Sequence, residues 1–509
     1  MKPTPVTAVL VFAFAATAPV WADVKPSALF SDNAVLQQGV AVPVWGTARE
    51  GEKVTVEFAG QSATTVAKEG RWKVVLNDLK PTGPKVLTIK GDNVVTAQNV
   101  IVGEVWLCSG QSNMARTVVP PASVQPRQPF WGEEAAKADY PMIRHFRTGG
   151  SAADEPATEV TGKWEVCTPM SVGEFTAVGY FFARDLWTSR RVPVGLINSS
   201  VGATGAASWV SRETLLSHPE LKGNLDRQAK SKTDYPAQFA KYQADEPRLL
   251  AEYADAVTKA KAEGKPEPRK PSPPRNPFTD AYRPTGYYNS KIFPLAPYAI
   301  RGVVWYQGES NSGHAGEYRV LFRGLIDGWR ELWQNPGLPF LFVQLPEFKG
   351  TVPDIREAQL RTWNETPHTG MVVTIDCGDA DDIHPADKRP VGMRLALMAR
   401  ATVYDEDLVY SGPLFDTATF AEGRAVLMFK HTGGGLVVKE GELKGFTIAG
   451  ANRKFVPAKA EIVGGTVVVS SAEVAEPKAV RYGWENVPIP SLYNKDGLPA
   501  SPFRTDLPK

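Results

Sequence analysis

Two short segments of this chain hold the residue types that ester chemistry needs. Gly103 to Met114 reads Gly-Glu-Val-Trp-Leu-Cys-Ser-Gly-Gln-Ser-Asn-Met, an apolar strand that runs into a Gly-containing turn with Ser112 at its tip. A serine hydroxyl is a poor nucleophile unless a base takes its proton and a third group holds that base in the right tautomer. Asp381-Asp382-Ile383-His384-Pro385 supplies both, and His384 is the only one of the 6 histidines with an aspartate three residues before it. The three-residue offset selects Asp381 as the orienting acid, with the adjacent Asp382 as its competitor.

With Trp305-Tyr306-Gln307-Gly308-Glu309-Ser310-Asn311 added, these segments resemble the sequence blocks of SGNH-type hydrolases. Within that superfamily the chain is most similar to the sialate O-acetylesterase and acetylxylan esterase group, with block order and spacing maintained from about Leu29 to about Leu397. The resemblance implies an SGNH, flavodoxin-like fold and hydrolysis of acetyl esters on sugars, and it says little about which sugar. It also implies an oxyanion hole, because the tetrahedral intermediate of acyl transfer carries a charge that fixed donors must meet. By position the donors are the backbone N–H groups of Ser112 and Gly202 and the side-chain amide of Gln307. Block three usually presents Gly-x-Asn, whereas Gly308-Glu309-Ser310 has serine there; the resemblance implies that Gln307 substitutes for the missing asparagine, with Asn311 as the other candidate. Asn113 and Glu309 complete the candidate site, Glu309 as a carboxylate that ties loops together.

The elements that position these residues are legible as a change of period. From residue 23 to 102, short alternating segments such as Val54-x-Val56-x-Phe58 are separated by glycines, which predicts a small antiparallel β-sandwich module. From residue 103 to 405, buried runs (Val105 to Cys108, Val194 to Asn198, Gly302 to Tyr306, Phe340 to Leu345, Met371 to Ile375) alternate with helical patterns. The clearest helix is Tyr318 to Trp333, with Tyr318, Leu321, Phe322, Leu325, Trp329 and Leu332 on one stripe. That alternation predicts an α/β domain with a doubly wound parallel sheet and its site beyond the carboxyl ends of the strands. Ser112, Gly202, Gln307, Asp381 and His384 each follow one of the runs. Residues 214–278 read as an insertion that begins as a helical Ala/Glu/Lys-rich stretch, with a good helix from about Glu246 to Glu263 and then the Pro-rich run Lys265 to Pro277. Residues 406–509 read as a C-terminal β module, separate from the first or completing it.

Composition bounds the alternatives. The 509 residues exceed one ordinary core, and 57 Lys plus Arg against 55 Asp plus Glu leave a net charge of +2, which favours neither a nucleic-acid partner nor a polybasic membrane contact. Lys2, the apolar run Val6 to Ala18 and the small residues around Val20-Trp21-Ala22 read as a cleaved signal peptide, residues 1–22, so the expectation is a periplasmic or secreted protein without a retained anchor. Three cysteines, Cys108, Cys167 and Cys377, leave any disulfide unassigned, and Cys108 reads as a small buried hydrophobe.

Rival hydrolase classes lack their residues. Met114 stands where a Gly-x-Ser-x-Gly elbow needs its last glycine, and there is no His-Glu-x-x-His or Cys-x-x-Cys, so no metal and no cofactor is expected. The resemblance accordingly implies a carbohydrate O-acetylesterase, foremost a sialate 9-O-acetylesterase, with an O-acetylated carbohydrate as its partner. The alternatives are an acetylxylan or xyloglucan acetylesterase and, in another class, a catalytically silent carbohydrate-binding protein.

Overall fold

The computed structural model describes residues 23–124 and 128–506, so the expected signal segment lies outside the described residues. The central element is a 17-residue strand, β1 (Val94–Gly110). Its first half pairs antiparallel with Thr82–Lys90 and parallel with Val35–Gln37, among the strands of the N-terminal region. Its second half is the middle of a parallel sheet. The remaining strands of that sheet are β2 (Tyr140–Arg147), β3 (Trp164–Cys167), β4 (Val194–Ser200), β5 (Gly302–Tyr306), β6 (Phe340–Val343) and β7 (Thr369–Val372). Their order is β3-β2-β4-β1-β5-β6-β7, with every neighbouring pair parallel except β3 and β2. Strands of this kind are buried on both faces and read as continuous apolar runs; β5 and β6 are buried along their whole length.

Helices cover both faces. Trp106 of β1 is in register with Gly302, three residues before Trp305 on β5, so the two indoles project to opposite sides of the sheet. Phe182 of α2 (Ala177–Arg190) packs edge-on against Trp106. Phe322 and Trp329 of α4 (Ala315–Leu332) pack on Trp305. Of the stripe read from the sequence, Tyr318, Leu321, Phe322, Leu325 and Trp329 are buried on α4 and Leu332 at its end is half-buried. On the face of α2 lies α6 (Arg389–Thr402), and α4 packs against α5 (Pro353–Glu365).

The sequence pattern does not reveal β2, because Tyr-Pro-Met-Ile-Arg-His-Phe-Arg carries charge where a buried run is expected. Arg144 is buried there because its guanidinium donates to Pro141 O, Asn33 Oδ1 and Asn99 Oδ1, which replaces the water it loses. The helical reading of the insertion extends further than its best segment. Its helix, α3 (Lys222–Ala262), is 41 residues long and begins far before Glu246, with Pro236 and Pro247 inside it. Each proline removes one ladder bond, but the Ala/Lys/Glu-rich sequence and pairs such as Lys230–Asp234 and Lys241–Asp245 carry the helix across. Residues 265–277 have no regular structure.

The C-terminal strands form their own sheets around a second core that includes Leu427, Val469, Tyr482 and Phe503. Among the described residues none of them pairs with the N-terminal strands. Polar contacts join this region to the central domain: Arg356 on α5 donates to Glu485 O and Asn486 O, and Arg504 pairs with Glu357 at 2.8 Å. All three cysteines are free, and Cys108 is buried in the sheet, where burial pushes its thiol up to about 12.

Candidate active site

Gly110 ends β1 at φ +132°, and a Cβ there would stand 2.1 Å from Tyr306 O on β5. Glycine is therefore required for the chain to turn at this point. The turn delivers Ser112 to the first position of a four-residue helix, α1 (Ser112–Ala115), whose first turn closes on Gln111 O through Met114 N and Ala115 N. His384 comes from the loop after β7, across the carboxyl end of the sheet. Its Nε2 lies 2.9 Å from Ser112 Oγ. Gly202, in the loop after β4, sits against the serine: a Cβ built on it would be 3.5 Å from Ser112 Cβ. The N–H groups of Ser112 and Gly202 have no acceptor among the described residues. Ser112, Gly202 and His384 line one open cleft of about 810 Å³.

Of the two candidate orienting acids, Asp382 rather than Asp381 lies beside the imidazole. Asp381 is 76% exposed and its carboxylate is paired with Lys349 Nζ, away from the imidazole. Asp382 Oδ1 instead accepts from His384 N at 2.8 Å and lies 3.7 Å from His384 Nδ1. Asp379 Oδ1 accepts from both Asp381 N and Asp382 N, and this loop of carboxylate-to-backbone bonds turns the second aspartate inward and the first outward.

Gln307 is placed behind the cleft of Ser112 rather than along it. It is fully buried, and its Nε2 donates to Asn311 Oδ1 at 2.7 Å and faces Gln111 Oε1 and Thr204 O, each at 3.2 Å. An amide nitrogen has two hydrogens, and these three acceptors consume them. Neither Gln307 nor Asn311 lines the cleft of Ser112; Asn311 accepts from Ala206 N and faces a separate recess beside α3. Gln307 therefore cross-links the loops that hold Ser112 and Gly202. Gln307→Ala is expected to lower stability by about 2 to 4 kcal/mol, from lost hydrogen bonds and a cavity. Its catalytic constant should fall by less than about tenfold. Melting temperature and kcat measured on the same preparation check this, and a 10²-fold loss of kcat at unchanged melting temperature would return the donor role to the glutamine.

Asn113 and Glu309 meet behind the serine, together with Lys388, which the sequence reading missed. Asn113 Nδ2 donates to Glu309 Oε1 at 2.6 Å and to Ile383 O at 2.9 Å, and Lys388 Nζ donates to Asn113 Oδ1 at 2.6 Å. Since Ile383 precedes His384, this buried cluster clamps the histidine loop to the serine turn. Burial pushes the Glu309 carboxyl up and the Lys388 ammonium down to about 8, while each opposes the other's shift. A lysine four residues after the histidine carries no motif of its own, so nothing in the sequence marks it.

The imidazole is held well below its ordinary range, at about 4, first by burial and then by the Arg116 charge; Asp382 opposes and Lys388 adds to the lowering. Because the neutral ring is the form that accepts the serine proton, a lowered value extends activity to lower pH. On the acid side, kcat/KM should be half-maximal near pH 4 rather than near 6.5, falling about tenfold per pH unit below that. A pH profile with a small neutral ester checks it. Among the described residues no group of three or more His, Cys, Asp and Glu side chains could hold a metal ion, and no helix is long and apolar enough to cross a membrane.

Comparison with known proteins identifies the class of reaction. Residues 287–400 match the family described as carbohydrate esterase, sialic acid-specific acetylesterase. Sialate O-acetylesterase of Rattus norvegicus is 28% identical over 514 residues, covering 90% of this chain and 90% of that protein, and the Homo sapiens protein is 27% identical, covering 93% and 90%. The crystal structure of a carbohydrate acetylesterase from Xanthomonas citri superposes with a TM-score of 0.78 at 37% identity, covering 95% of this chain and 99% of that one. A relative this similar over its whole length shares the fold and the class of reaction, and the chain accordingly belongs to the carbohydrate acetylesterases.

Proposed function

We propose that this carbohydrate acetylesterase removes O-acetyl groups from sialic acid by a serine mechanism. The observation that carries the mechanism is the 2.9 Å approach of His384 Nε2 to Ser112 Oγ at the floor of an open cleft. Ser112 Oγ attacks the acetyl carbonyl as His384 Nε2 takes its proton. The carbonyl oxygen becomes an oxyanion beside the N–H groups of Ser112 and Gly202, which have no other acceptor among the described residues. His384 then gives the proton to the departing sugar oxygen, leaving acetyl-Ser112. Water, deprotonated by the same nitrogen, attacks the acetyl carbonyl and releases acetate. Asp382 stabilises the imidazolium at its Nδ1 side, where the 3.7 Å separation closes to a hydrogen bond as the charge forms.

The choice of sugar rests on the family match and on the relatives named sialate O-acetylesterases, which align over nine-tenths of both chains. Initial rates on 9-O-acetyl-N-acetylneuraminic acid and on acetylated xylan oligosaccharides test it. The expected result is a kcat/KM at least about tenfold higher for the acetylated sialic acid, and the reverse ranking would assign the enzyme to xylan. Absence of turnover on both, and on p-nitrophenyl acetate, would leave the carbohydrate-binding alternative.

A further inference from the structure

Arg116 is the residue that ends α1, four positions after Ser112. Its backbone is held from both sides, N–H donating to Ser112 O at 2.8 Å and carbonyl accepting from Ala177 N at 2.8 Å. The side chain is half-buried and lines the cleft of Ser112, Gly202 and His384 as well as the adjoining recess that ends at Asp379, Asp382 and Lys388. Its guanidinium has no hydrogen-bond or ion-pair partner among the described residues.

Other charges along this cleft are already engaged. Arg147 lies 3.6 Å from Glu174, Asp379 and Asp382 accept from backbone N–H groups, and Lys388 donates to Asn113. Among the described residues Arg116 therefore stands as an unpaired cation on the cleft it shares with the neutral imidazole, and its charge opposes that of the Lys388 ammonium, a like-charge pair that costs stability until an anion arrives. A planar guanidinium with parallel N–H donors is the side chain best matched to a carboxylate. We propose that Arg116 is the subsite for the carboxylate of an acidic sugar, and that it selects sialic acid over neutral acetylated sugars. This rests on the reading of acetylated sialic acid as substrate: that sugar carries a carboxylate, and acetylated xylose does not.

The test separates charge from ester chemistry by using inhibitors that carry no acetyl ester. Hydrolysis of p-nitrophenyl acetate is followed at pH 8, where the imidazole is neutral with or without the Arg116 charge. N-acetylneuraminic acid and its methyl ester are the competitors, with glucuronic acid and its methyl ester as a second pair. In the parent enzyme each acid should inhibit at least about tenfold more tightly than its ester. Arg116→Gln should erase that ratio, and Arg116→Lys should restore part of it. A parent that does not distinguish acid from ester overturns the proposal without any variant, and so does an Arg116→Gln enzyme that still distinguishes them. If the parent prefers the acids but fails to deacetylate acetylated sialic acid, the carboxylate subsite stands and the sialate reading falls. If it deacetylates sialic acid yet ignores the charge, the reverse holds.

Discussion

Ser112→Ala is expected to lower acetyl-ester turnover by about 10⁴-fold or more while the protein keeps its fold. The serine occupies the first position of α1, and the turn around it is held by backbone bonds from Met114 N, Ala115 N and Arg116 N that do not involve its side chain. Removing Oγ therefore deletes the acyl acceptor and leaves its scaffold. Losses of this size follow when a nucleophile acting as one unit with its base is removed. Circular dichroism and melting temperature establish the fold, and turnover of p-nitrophenyl acetate reads the effect. Activity within tenfold of the parent in a folded variant would remove Ser112 from the reaction.

The second large effect separates two adjacent carboxylates. Asp382→Asn is expected to cost about 10² to 10⁴ in kcat, because the amide cannot stabilise the imidazolium and favours the wrong tautomer at Nδ1. Asp381→Asn should change kcat by less than about threefold, since Asp381 faces solvent and an exposed Lys349, and exposed pairs contribute little. Both variants retain a side-chain oxygen, so the Asp382 oxygen that accepts from His384 N can persist and the loop can keep its shape. Measuring the two side by side at pH 8 decides the matter, and the opposite ranking would restore Asp381 as the partner.

A motif records spacing along the chain, but a side chain's direction depends on the loop that carries it. Asp381 is three residues before His384, as the family pattern has it, yet the bonds that Asp379 Oδ1 accepts from two successive amides and Asp382 Oδ1 accepts from His384 N rotate the neighbouring aspartate toward the ring. The same distinction explains Gln307. Its place at the end of β5 is legible, since a buried apolar run ends there, but its amide could serve the cleft or the loops behind it. Three acceptors from Gln111, Thr204 and Asn311 draw it inward, and they are 196, 103 and 4 residues away in the chain. Lys388 and Arg116 escape sequence reading for a related reason. Each is a common surface cation by type, and only their placement, one buried on Asn113 and one beside His384, makes them part of the site.

By itself the sequence determined the parallel α/β class, the strand ends that carry Ser112, Gly202 and His384, and the amphipathic face of α4. These are consequences of short-range periodicity and of turns that demand glycine, both of which are written locally. The tertiary structure decided which aspartate faces the imidazole, whether Gln307 points into the cleft, and which cation remains unpaired there. It also decided that β2 enters the sheet with a buried arginine and that α3 runs through two prolines. Those outcomes depend on hydrogen-bond partners from distant segments and on the balance between burial and pairing of polar groups, which form only when the chain has folded.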